Sequence, residues 1–72
     1  MIKRYVNINT IFDLYNQGGT PSVVNFFTNV NTEYVFTGSM SHIQKQIYES
    51  CLRGDYKSVR HLIADTYEKS KK

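Results

Sequence analysis

The chain has 72 residues, with nine basic and six acidic side chains, one Cys, no Trp and a net charge of +3. That length holds one domain (1–72) whose core is too small for barrel or dinucleotide-binding enzyme folds. The lone Cys51 cannot close an internal disulfide, no apolar run approaches the ~20 residues of a membrane span, and residues 5–9 form no secretory leader, so the expected setting is a cytoplasm without a membrane partner.

Residues 2–6, Ile-Lys-Arg-Tyr-Val, read as a short strand or an extended arm. Ile8, Ile11, Phe12 and Tyr15 then recur at i, i+3, i+4 and i+7, the pattern of an amphipathic helix. Asn7 is its cap and Gly18-Gly19 its end. Thr20 and Pro21 suit the N-cap and first position of a second helix, running to about residue 29. Its stripe of Val23, Val24, Phe26, Phe27 and Val30 is wide enough to bury much of its circumference. Residues 33–37 read as a short strand pairing with 2–6, or as a loop ending at Gly38. Ser41 and Gln44 have the spacing of a capping box before a third helix, with Ile43, Ile47 and Cys51 on one face and Gly54 at its end. Asp55 caps a fourth helix whose buried face is Val59, Leu62, Ile63 and Tyr67. The expected fold is therefore all-α. Four short helices form two αα-hairpins, at about 8–29 and 41–69, joined by a loop over 30–40, with room for a minor two-stranded element at 2–6 and 33–37.

The two halves align at an offset of 36 residues. Ile11-Phe12-Asp13 falls on Ile47-Tyr48-Glu49, Gly18 on Gly54, Ser22-Val23 on Ser58-Val59, and Phe26-Phe27 on Leu62-Ile63. A period of 20 to 50 residues marks stacked helical units. Residues 43–65 resemble the inner part of an ankyrin repeat. The turn residue Gly54 is followed by Val59, Arg60, Leu62 and Ile63, and the small residues Ser50-Cys51 precede it. The usual Thr-Pro-Leu-His start is absent, and two units fall short of the three such arrays normally need. The resemblance implies protein binding by loops and helix faces, without catalysis.

His42, Cys51 and His61 are the conventional metal ligands, but their spacing matches no zinc signature, and no metal or other cofactor is expected. No strained nucleophile elbow or phosphate-binding Lys motif supports an enzyme. Charge is unevenly placed: residues 1–36 hold two basic and two acidic side chains, whereas residues 37–72 hold seven basic against four acidic, or +3. Lys57, Arg60 and His61 share one side of the last helix, with Arg53 just before it and Tyr56 at its start. Tyr34, Phe36 and Tyr48 add rings that a small core has difficulty covering, and Tyr and Arg dominate binding hot spots. These eight residues are the candidate binding surface. The expected function is a non-enzymatic protein-interaction module, a stand-alone regulator or inhibitor of a larger protein. The composition resembles that of small phage accessory proteins acting in a host cytoplasm. The alternative is a helix-turn-helix type DNA- or RNA-binding regulator using residues 56–68. A homodimer fits either reading.

Overall fold

The structure, a computed structural model, describes residues 2–70. Five elements follow in chain order: β1 (Ile2–Val6), α1 (Ile8–Phe27), β2 (Thr32–Phe36), α2 (Ser41–Leu52) and α3 (Tyr56–Ser70). The strands pair in parallel, Ile2 beside Thr32 and Val6 beside Phe36. The first half is thus a β-α-β crossover and the second a pair of helices. Among the described residues, no helix is long and apolar enough to cross a membrane.

This overturns the all-α expectation of four helices in two hairpins. Residues 8–27 form one α1 that kinks where Gly19 alone leaves helical geometry, at φ 74° and ψ −161°. Turning a helix back on itself takes a loop of about 2–5 residues. One non-helical residue bends the chain instead, and Thr20 and Pro21 restart the helix at once. The bend suits the crossover. A straight helix of this length would span about 30 Å, against about 17 Å for a five-residue strand, so a bend in α1 shortens its span to bring the chain back to the start of β2. The halves accordingly share no common unit, and the 36-residue correspondence does not extend to the backbone. Gly54 has positive φ, but in the first half it is Gly19, not the aligned Gly18, that does.

The second turn is built differently. Gly54 N–H donates to the Cys51 carbonyl and Asp55 N–H to the Ser50 carbonyl, both at close to 3 Å (3.1 and 3.0 Å). With Gly54 at φ 72° this is a Schellman motif ending α2. Asp55 then caps α3: its carboxylate accepts from Ser58 N–H at 3.2 Å and from Ser58 Oγ at 2.7 Å. Asn7 does the same for α1, accepting from Thr10 N–H at 3.1 Å. The capping box at α2 is absent. Met40 precedes the helix with no side-chain cap. Gln44 is fully buried instead, and its Nε2 donates to the Thr37 carbonyl at 2.9 Å, tying α2 to the end of β2. Its Oε1 is buried without a hydrogen-bond partner in the structure.

The fully buried core draws on every element except β2, whose Tyr34 and Phe36 pack against it half-buried. Val6, Ile11, Val23, Phe27, Ile47, Cys51, Val59 and Ile63 are almost wholly shielded, and Phe12 and Val24 nearly so. Val30, expected in the buried stripe, is 88% exposed because α1 ends at Phe27 and leaves it in the connection to β2. Tyr67, expected on a buried face, is 40% exposed. The strand register sets Ile2, Arg4 and Val6 beside Thr32, Tyr34 and Phe36 on one face, and Lys3 and Tyr5 beside Glu33 and Val35 on the other. The first face meets α1, where the Arg4 guanidinium lies 4.9 Å from the centre of the Phe26 ring.

Candidate functional site

The structure divides the eight candidate residues into two groups. Tyr34, Phe36 and Tyr48 belong to a ring cluster around the buried Phe27. Its centroid lies 5.1 Å from Tyr34, 6.0 Å from Phe36 and 5.5 Å from Tyr48. Tyr34 and Tyr48 also meet each other at 5.5 Å. β2 supplies two of these rings because Tyr34 and Phe36 are two residues apart and share its inner face. The Tyr34 hydroxyl donates to the Phe26 carbonyl. Burial raises its pKa above the ordinary phenol value, and the neighbouring Tyr48 pushes the same way. These rings are half-buried and pack against the core.

Arg53, Tyr56, Lys57, Arg60 and His61 form the second group, and all five are exposed. The Schellman turn and the Asp55 cap fix where they begin. Asp55 is a carboxylate in the middle of these cations, yet its oxygens are directed at Ser58. Those two hydrogen bonds hold its carboxyl below its ordinary pKa, helped by the charges of Arg53 and Lys57. The Arg53 guanidinium donates to Ser50 Oγ at 3.2 Å and is thereby held over the end of α2.

Between α2 and α3 runs an open groove of about 430 Å³. Arg53 and His61 line it together with Glu49, Ser50, Ser58 and Leu62. Lys57 and Arg60 stand outside it, so the expected basic stripe is split. His61 turns to the α2 side with Ser58 and Leu62, three and four residues apart, while Lys57 and Arg60 continue the exposed outer face of α3. Gln46, Glu49, Ser50 and Arg53 form the matching flank of α2 at the same spacing. That periodicity is present in the sequence, but only the packing of α2 against α3 shows that the two flanks share a groove. Further along α3 the charge becomes mixed. Asp65 pairs with Lys69 at 3.3 Å, the one ion pair among the described residues, and both partners are exposed.

Cys51 lies in the core, and burial pushes its thiol pKa up to about 11, which makes it a poor nucleophile at neutral pH. His42 is exposed at the start of α2. Among the described residues, no group of three or more His, Cys, Asp or Glu side chains gathers to hold a metal ion.

No protein-family model, curated protein or solved structure matches the chain. The surface is therefore read from its own chemistry. It offers cations and one large half-exposed ring on a rigid helix start, beside a shallow groove with a single apolar wall. That arrangement suits recognition of a negatively charged surface.

Proposed function

We propose that this chain is a non-enzymatic protein-interaction module, a small regulator or inhibitor that docks on an acidic surface of a larger protein through the first half of α3. The observation that carries the reading is the exposed cluster of Arg53, Tyr56, Lys57, Arg60 and His61 on a helix start held by two capping devices. Clustered cations steer an acidic partner into contact. Tyr56, 47% exposed, is the ring able to anchor it. The Schellman turn and the Asp55 cap pre-order the helix end, which lowers the ordering cost of binding. Affinity capture with the full chain tests this. The reading expects a stoichiometric protein partner, lost when Tyr56 and Arg60 are both replaced by Ala. A hot-spot residue contributes about 2 kcal/mol or more, roughly 30-fold in affinity. A partner retained at full strength by the double variant sinks the assignment of the surface.

A second reading, as a helix-turn-helix type nucleic-acid binder, draws on the short Arg53–Asp55 turn before a helix with a basic start. The acids Asp65 and Glu68 on the exposed side of α3 weigh against it. Filter binding at two salt concentrations separates the readings, because nucleic-acid affinity from phosphate contacts falls steeply with salt.

A further inference from the structure

β1 is the outer strand of the sheet. Its first four residues are exposed, whereas β2 is half-buried except at Glu33. Among the described residues the sheet has no third strand. The ladder fixes which backbone groups of β1 stay open. Ile2 N–H donates to the Asn31 carbonyl at 2.9 Å, and Thr37 N–H donates to the Val6 carbonyl at 2.8 Å. Parallel pairing runs through alternate residues, so Ile2, Arg4 and Val6 turn their N–H and C=O groups to β2. Lys3 and Tyr5 turn theirs away from the sheet, where such groups form a template for another strand. Ile2 and Tyr5, 66% and 68% exposed, add apolar surface along that edge.

From this edge we infer a docking site for an extended acidic segment of another protein, which adds to the sheet as a third strand beside β1. The charge of the edge selects the occupant. Lys3 and Arg4 are adjacent and exposed, and β1 carries no acid. The single acid across the ladder is Glu33, beside Lys3, while Arg4 has Tyr34 beside it and lies over the Phe26 ring. Opposite charges on neighbouring strands stabilise a sheet, and like charges directly opposite destabilise it. The same rule weighs against a second copy of this chain. Two copies of β1 paired antiparallel through all the open groups of Lys3 and Tyr5 set Arg4 against Arg4. An acidic segment instead meets both cations, one on each face of the sheet. Main-chain hydrogen bonds then supply the affinity, and the side chains of the edge choose the partner. No residue of α3 takes part, so the edge is independent of the acidic-surface reading.

Backbone-amide NMR of the full chain tests this with the peptide acetyl-Val-Thr-Glu-Glu-Thr-Val-amide. Its sequence reads the same in both directions, so it presents its acid pair to Lys3 and Arg4 whether it adds parallel or antiparallel. In the free chain the Lys3 and Tyr5 amides should exchange with solvent faster than those of Arg4 and Val6. The peptide should shift both fast amides saturably and slow their exchange. A counterpart with Lys in place of both Glu should bind roughly 10-fold more weakly. N-methylation of both Glu nitrogens keeps the charge but blocks strand pairing, and should remove most of the binding. Y5P removes an N–H that the fold does not use, at an edge position where a strand accepts Pro. It should lose the peptide while Arg4 and Val6 stay protected. Slow exchange at Lys3 and Tyr5 in the free chain, or no saturable shift at millimolar peptide, would overturn the inference. So would equal binding of the Lys peptide or undiminished binding of the N-methylated one, both read on the parent chain. Self-association that protects the Lys3 and Tyr5 amides assigns the edge to a second copy and overturns it equally.

Discussion

Cys51 and Asp55 stand at the two ends of the α2–α3 turn, and the fold moves their pKa values in opposite directions. The buried Cys51 thiol titrates near 11 rather than at its ordinary 9.0. Above about pH 9 the unfolded chain therefore loses a proton that the folded chain keeps, so stability falls as pH rises from about 9 towards 11. Replacing Cys51 with Ala should flatten that alkaline limb in a series of Tm measurements. The same burial predicts that a thiol-specific reagent labels the native chain only as fast as it unfolds, with labelling accelerating through the denaturant transition. Asp55 behaves in the reverse sense. Its folded pKa is depressed by the Ser58 hydrogen bonds. Its contribution is complete above the ordinary carboxylate range and lost as pH falls through the depressed value. D55A should therefore lower Tm at neutral pH, and the gap to the parent chain should close on acidification. A gap that stays constant down to about pH 2 would show that the cap is not the source.

At the scale of elements, two glycines make two different junctions. Gly54, at φ 72°, is an ordinary left-handed helix end with open space around it. Gly19 combines φ 74° with ψ −161°, a region that is essentially closed to residues with a Cβ. G54A should cost about 1 kcal/mol, whereas G19A should cost more, up to about 3 kcal/mol. Chemical denaturation of the two variants gives the comparison. If G19A is the milder one, the kink can straighten, and the crossover geometry does not depend on it. The periodicities of α2 and α3, the Asn7 and Asp55 caps and the Gly54 turn are all readable along the chain, because each depends on residues within about four positions of one another. The Ser41–Gln44 spacing misleads for a related reason. A capping box competes with burial, and Gln44 lies on the helix face that meets the core, so its amide bonds to Thr37 instead.

For the whole molecule, Phe27 is the joint where α1, β2 and α2 meet through their rings. F27A removes the central ring of that cluster and should cost about 3–5 kcal/mol. Domains of this size rarely hold more than about 5 kcal/mol, so the variant should lose its near-ultraviolet circular dichroism and its cooperative thermal transition. A cooperative transition persisting near the parent Tm would mean that the ring cluster is peripheral. The same cluster explains why the candidate surface was only half legible. Tyr34, Phe36 and Tyr48 look alike in sequence to an exposed hot spot and to a core. The choice between them rests on β2 lying beside β1, which turns the alternate residues Tyr34 and Phe36 towards Phe27.

The sequence by itself determined where α1 starts, where α2 ends and α3 begins, which face of α2 and α3 is apolar, and that cations gather at the start of the last helix. These are local properties of capping hydrogen bonds and of the helical repeat. Only the tertiary structure decided that residues 2–6 and 32–36 pair in parallel. It also decided that Gly19 bends α1 instead of reversing it, that three of the expected binding rings pack half-buried against the core, and that aromatic residues from α1 and α3 line a common cleft. Each of these joins residues far apart in the chain. Such contacts depend on closing a long loop and on the competition for a core too small to take every apolar side chain.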